Sequence, residues 1–367
     1  MANKSKKLAD ELFPIKEDLD TLDVLDIPPN ERKLHTETYD FSISTLHEYL
    51  EKNHVYIPRF QRGYVWNRGQ ASRLIESLVI QCPIPVLYFD QTDDSKFSVI
   101  DGNQRLTSIR LFLNDEFSLR GLTTYPELEG MYYSDLDPRI KRHITNRTLR
   151  CIAILPDTHP QIKFDVFERL NTGSVPLTPQ ELRHGIYHGE LIDAIERISS
   201  NSKWKELTRL KKDVRMKRSE LVLRYFAMSN NVQHYFKPLA GFLNKFTEDH
   251  QNPEPSVIAS WESDFVQAVD TIEVLYQHRA FRPFDRNFIE QRAINAALFD
   301  AQMIAVTRIK PDLTGFNARK RRNLLKETAL LFEDEVFAKT IGAGTSSKTS
   351  VHRRIDIFTD FLKLQFR

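Results

Sequence analysis

Cysteine is nearly absent: two residues, Cys82 and Cys151, in a chain of 367. That excludes a disulfide framework and any zinc module built on paired cysteines. Each thiol lies in or beside an apolar segment, so the expectation is two buried, reduced thiols in a cytoplasmic protein. Glycine is also sparse, at twelve residues. None of them falls into Gly-x-x-x-x-Gly-Lys-Ser/Thr or Gly-x-Gly-x-x-Gly, which excludes a P-loop and a dinucleotide-binding turn. No apolar run approaches the roughly eighteen residues that read as a membrane span. Residues 1–7 lack the apolar core of a signal peptide. Metalloprotease chemistry is unsupported, because Gly185 weakens the turn between His184 and His188 and no Glu follows His184. Cys151 follows Arg150, but neighbours on a strand face opposite ways, so that thiol gains no activation.

What the chain has is charge, unevenly placed. The formal net charge is +2, yet residues 1–40 hold six Lys/Arg against ten Asp/Glu, a local net of −4. Residues 203–224 hold nine basic and three acidic residues, a local net of +6. A second basic run, Arg319-Lys320-Arg321-Arg322 with Lys326, follows it. One such cluster is most often a solvated helix face. Two in one half make DNA a candidate partner, through segments 203–224 and 319–326.

The length fits two domains. Residues 1–33 are polar and read as a mobile or loosely docked arm. Between 34 and 190, strand and helix signals alternate. Strands are predicted over 34–39, 55–57, 86–90, 97–100 and 149–155, and helices from Ile43 (capped by Ser42), over 70–81, 103–114 and 160–170. Beyond Thr178 the strand signal fades, and helical patterns cover 178–200, 218–229, 256–278, 288–308, 317–339 and 351–366. The pattern predicts an α+β domain over 34–190 followed by an all-α domain over 191–367.

The most informative stretch is Ser98-Val99-Ile100-Asp101-Gly102-Asn103-Gln104-Arg105. An apolar strand passes through Asp-Gly straight into the first turn of a helix. Gly102 permits a tight turn and close approach of a ligand. A helix start offers N–H groups to an anion, and Arg105 adds a fork that matches phosphate oxygens. A second cluster runs from Tyr56 to Trp66 and interleaves Arg59, Gln61 and Arg62 with aromatic rings, Tyr64 among them. That suits a planar base carrying phosphates. A solvated edge loop accounts for it nearly as well. The third cluster, Phe167-Glu168-Arg169-Leu170-Asn171-Thr172-Gly173, precedes a new helix capped by Thr178 with Pro179 at its first position. A plain joint between helices explains Gly173 and Pro179 but not Arg169, Asn171 and Arg183. The small-residue stretch over 342–350 reads as a flexible linker more readily than as an anion cradle.

In this order the three clusters resemble the GmrSD-type restriction endonuclease N-terminal domain family. Its marks are Ile-Pro-x-Phe-Gln-Arg, Asp-Gly-Gln-Gln-Arg and Phe-x-Arg-Leu-Asn-x-Gly, here beginning at Ile57, Asp101 and Phe167. Asn103 stands where the family has Gln; it keeps the amide and shortens its reach. The resemblance covers residues 34–190 and implies a ParB/sulfiredoxin-like fold that binds and hydrolyses a nucleoside triphosphate in prokaryotic antiviral defence or restriction. It implies Asp101, Gln104 and Arg105 as catalytic residues. Arg59, Gln61, Arg62, Tyr64, Gly102, Asn103, Arg169 and Asn171 would hold the nucleotide, and Asp101 would bind Mg²⁺ or position the attacking water. Many relatives continue into a His-Asn-His nuclease, and no such His and Asn pairing stands after residue 200. A separate nuclease or toxin is therefore the expected effector, with no membrane partner and a second copy of the chain as a further candidate. Two other readings stay open: a non-hydrolytic, nucleotide-gated DNA-binding or sensing switch, and a nuclease, disfavoured because one Asp dominates the motifs.

Overall fold

The computed structural model describes residues 31–58, 64–93, 96–170, 177–187, 189–210, 213, 215–342 and 344–366. The arm expected over 1–33 lies outside them except for its last three residues. Local chemistry sets the first elements. Strand β1 (Thr36–Ser42) ends at Ser42, whose Oγ accepts from Thr45 N at 3.1 Å and so opens α1 (Ile43–Glu51). A short β2 (Val55–Tyr56) follows, and Asn67 with Gln70 forms a reciprocal cap at the start of α2 (Arg68–Val79). Next come β3 (Leu87–Asp93), β4 (Lys96–Asp101), α3 (Asn103–Leu113), α4 (Pro138–Thr145) and β5 (Thr148–Ile154).

The sheet order is β1-β5-β3-β4-β2. β4 is parallel to β2 and antiparallel to β3, while β3 is parallel to β5. The ends of β2 and β4 and the starts of β3 and β5 therefore share one edge of the sheet, and Gly102 stands at that edge. Alternation divides the side chains between two faces. Leu87, Phe89, Phe97, Val99 and Cys151 pack against α1 to α4 in one core. Ile100 and Ile154 meet α5 (Pro160–Leu170) and α6 (Pro179–Ile186) through Phe164, Phe167 and Leu182. Asp90 and Lys163, both buried, pair at 2.8 Å and fasten α5 to β3. Burial pushes the Cys151 thiol up to about 12, which leaves it inert. Cys82 departs from expectation: it is exposed, just past Gln81, where the chain turns off α2 with φ of +60°.

Glu76, on the inner side of α2, accepts backbone N–H groups of Thr123, Thr124 and Tyr125 at 3.0, 2.6 and 3.0 Å. Burial favours the neutral acid, but these donors outweigh it and hold the carboxyl below its ordinary value. Such a group stabilises the fold above its unfolded pKa of 4.5, and the contribution is lost as pH falls through the folded value. Glu76→Ala strands the three donors and is expected to cost about 3 kcal/mol near neutral pH. Urea midpoints would measure this. The gap to wild type should narrow below pH 4.5; a constant gap would argue against the carboxylate as its source.

The rest of the described chain is helical: α7 (Glu190–Ser199), α8 (Ser202–Thr208), α9 (Lys217–Asn231), α10 (Leu239–Asp249), α11 (Pro255–Tyr276), α12 (Ala296–Ile309), α13 (Ala318–Glu333), α14 (Glu335–Gly342) and α15 (Lys348–Gln365). It has its own core, with Leu298, Phe299, Met303 and Ile304 of α12 packed among Trp204, Phe226, Phe265 and Phe358. Inside it Asp300 bridges two cations, Arg224 Nε at 3.0 Å and Arg354 Nη2 at 2.6 Å. None of the three is more than 6% exposed.

The chain thus forms the expected α+β part followed by an all-α part. No described helix is long and apolar enough to cross a membrane. Several helices differ in extent. The one expected over 288–308 starts only at Ala296, where Asn295 Oδ1 accepts from Leu298 N at 2.9 Å, because 284–290 is held by a Phe284–Glu290 bridge. The 178–200 pattern breaks at Gly189, with φ of +140°, and the 317–339 pattern breaks at Asp334. The expected linker over 342–350 is tied down instead. Arg354 donates to Thr345 O and Tyr235 Oη to Ser346 O, the latter at 2.6 Å.

Candidate functional site

The turn from β4 into α3 is built by one irregularity and one glycine. Phe89 pairs with Val99 but Tyr88 pairs with Asp101, so the ladder skips Ile100. Bulges at strand ends re-aim side chains. Asp101 accordingly leaves the buried row of Phe97 and Val99, and its carboxylate is 50% exposed. Gly102 follows with φ of +107°, and a Cβ there would stand 2.3 Å from Leu87 Cδ2. The backbone angle thus demands glycine, and a Cβ would also force the buried Leu87 side chain to shift. As the N-cap of α3, Gly102 brings no side chain to the first N–H groups of the helix.

Arg105 stands one turn into α3, only 11% exposed. Its Nη2 donates to Asp101 Oδ2 at 2.7 Å, its Nη1 to Pro85 O, and both more weakly to Val86 O at 3.4 Å. Burial pulls its pKa down and Asp101 opposes the shift. The guanidinium is therefore fastened to Asp101 and to the chain entering β3, and its charge sits beneath the helix start. A phosphate would meet it alongside Asp101, as part of a pair.

The second cluster reaches this turn through side chains of α3. Gln104 Oε1 accepts from Val65 N at 2.9 Å and Trp66 N at 3.2 Å, and Tyr64 Oη lies 3.0 Å from Ser108 Oγ. Gln104 acts here as a clamp on the backbone of 65–66. Asn103 Oδ1 accepts from Thr107 Oγ1 at 3.1 Å. Arg59, Gln61, Arg62 and Asn171 lie outside the described residues. Arg169, 77% exposed, pairs with Asp165 of its own helix at 2.9 Å. Asp101, Gly102, Asn103, Gln104, Arg105 and Tyr64 are thus brought together, whereas Arg169 is engaged elsewhere.

Arg183, which the joint reading left unexplained, is a tie between α6 and α10. It is fully buried, with Nε to Asn244 Oδ1 at 2.6 Å, Nη1 to Gln180 Oε1 at 3.2 Å and Nη2 to Ala240 O at 3.1 Å. Burial pulls its pKa down to about 10. Gln161 adds a bond to Glu248 Oε2 at 2.9 Å, so α5 and α6 are both fixed to α10. His184 pairs with Glu196 at 2.7 Å. Among the described residues no three His, Cys, Asp or Glu gather to hold a metal. Asp101, with Oδ2 engaged by Arg105, can offer Mg²⁺ a single carboxylate. That fits an ion whose other ligands are substrate phosphates and water, the usual Mg²⁺ arrangement beside nucleotides.

Ser108 was invisible to sequence reasoning because its partner, Tyr64, is forty-four positions away. Gln104, a residue of the Asp101–Arg105 motif, also clamps the backbone of 65–66. Residues 46–188 match the family model described as GmrSD restriction endonuclease, N-terminal domain. The match begins within α1, ends just past α6 and contains all three clusters. No curated protein matches the chain significantly.

Proposed function

We propose that this chain, whose α+β part carries that restriction-endonuclease N-terminal domain, binds and hydrolyses a nucleoside triphosphate at the Asp101–Arg105 turn. It would serve as the nucleotide-driven module of a restriction-type defence system, acting with a separate effector and on DNA. The observation supporting this is the convergence of a half-exposed carboxylate, a buried guanidinium and a helix start with no side-chain cap, all at the sheet edge where Tyr64 to Trp66 cross α3. Phosphoryl transfer asks mainly for positioning and charge neutralisation. The N–H groups following Gly102 would take phosphate oxygens, and Arg105 would add positive charge beneath them. Asp101, oriented by Arg105, would hold the attacking water. Mg²⁺, when bound with the nucleotide, supplies further neutralisation of the phosphates at Asp101. Gln104 keeps the 65–66 backbone over the site.

The test is release of inorganic phosphate from nucleoside triphosphates by the purified protein with Mg²⁺. Arg105→Ala is expected to lose most of that activity, and an unchanged rate would remove the turn from the chemistry. The second reading, a nucleotide-gated switch without hydrolysis, draws on the commitments of Arg105 and Gln104 to protein acceptors and donors. Calorimetric binding of a non-hydrolysable triphosphate without phosphate release from the natural one would favour it.

A further inference from the structure

The end of α8, the start of α9 and the segment before α12 enclose a cleft of about 1080 Å³. Lys205, Arg209, Lys217, Arg218, Arg282 and Arg292 line it, against a single carboxylate, Glu206. Two stretches of chain, 205–218 and 282–294, supply these cations, so only folding brings them together. Nearby acids answer three of them. Arg209 pairs with Glu290, Lys217 with Glu220 at 3.3 Å, and Arg218 with Asp213 at 3.7 Å.

The other three are less well compensated. Arg282 is 2% exposed and donates to backbone carbonyls, Ala280 O at 2.9 Å and Thr208 O at 2.7 Å among them. The carbonyls ending α8 carry partial negative charge, which falls short of a full counter-charge. Lys205 and Arg292 are exposed, and neither side chain has an ion pair among the described residues. A wall of this kind concentrates anions.

The lining also says which anion. Its apolar members are Leu210, Ala293 and Ile294, with no aromatic ring. Single-strand binders stack bases on rings, and sequence readers need hydrogen-bonding groups at base edges. Cations without rings address phosphates, the contact that holds a protein on a duplex whatever its sequence. We propose that this cleft binds the phosphate backbone of duplex DNA. The choice of DNA as the polyanion rests on the restriction-type role proposed above; the phosphate chemistry does not.

The experiment is fluorescence anisotropy of the full chain with a random-sequence duplex, without nucleotide, over a range of salt concentrations. Leaving nucleotide out separates the result from the fate of the Asp101 turn. Each phosphate contact contributes about 0.9 to the slope of log affinity against log salt, or roughly tenfold in affinity at 0.1 M. The double variant Lys205→Gln/Arg292→Gln is expected to bind about a hundredfold more weakly, with a slope lower by about 2. Both side chains are exposed, so the variant should keep the wild-type circular dichroism spectrum, and Lys205→Gln alone should show half the slope change. Unchanged affinity and slope in the double variant would overturn the proposal. So would tighter binding of single-stranded DNA than duplex. Displacement of the duplex by inorganic triphosphate at equal phosphate concentration would reassign the cleft to a small polyphosphate.

Discussion

Asp300→Asn is expected to lower the melting temperature by about 10 °C, a large loss of stability for an isosteric change. The carboxylate is 1% exposed and is shared by Arg224 and Arg354, themselves 6% and 1% exposed. Removing one partner of a buried ion pair typically costs about 3–5 kcal/mol, because the remaining charge is left uncompensated. Here two guanidinium groups would be left. Asn keeps the shape of the side chain and removes only its charge, so the change reads electrostatics with little contribution from a cavity. For a unit the size of the helical part, residues 190–366 with its own core, each kcal/mol corresponds to roughly 2–4 °C. Arg354 also holds Thr345 O, so the loop before α15 should loosen together with the core. Thermal melts followed by circular dichroism measure the effect, and a shift of less than about 2 °C would contradict this account. Replacing all three residues by Met, Leu and Met should recover most of the loss, since an apolar trio removes the need for compensation.

Asp101→Asn is the change expected to cost most activity: phosphate release should fall at least about a hundredfold, the usual scale for removing a positioned acid–base group. The structural cost should be small. Asp101 is 50% exposed, so its ion pair with Arg105 is largely screened and is worth about 1 kcal/mol or less. Arg105 keeps its bonds to Pro85 O and Val86 O in the variant. Initial rates at saturating triphosphate, beside a melting curve, separate chemistry from folding. Calorimetry should find triphosphate binding weakened much less than the rate, because the N–H groups after Gly102 remain. A rate within threefold of wild type would remove Asp101 from the chemical step.

Much of the fold was legible because it is written in local signals. Ser42 caps α1, and Thr178 with Glu181 forms the cap of α6 just ahead of Pro179. Strands β3 and β4 read as apolar runs because much of each is buried on both faces. Helices α4, α8 and α10 escaped prediction; α4 and α8 are only eight and seven residues long, which leaves little length over which to read a period. The 288–295 stretch carried a helical pattern, but pairing of Phe284 with Glu290 and capping by Asn295 prevailed over it.

The same division holds at the site. By itself the sequence determined the Asp101-Gly102 turn, the family resemblance and the order of an α+β part before a helical one. These depend on neighbours along the chain: a glycine where φ must be positive, a strand running into a helix, and periodic apolar residues. Tertiary structure decided what the chemically interesting groups do. Arg105, a phosphate fork by its motif, is also tied in the fold to Pro85 O and Val86 O, twenty and nineteen positions back. Gln104, a motif residue in the sequence, also accepts from Val65 N and Trp66 N once the chain folds. The cleft of Lys205 and Arg292 does not exist until α8 meets the segment before α12. Hydrogen bonds and charge compensation depend on distance in space, and distant residues acquire that distance only when the chain folds.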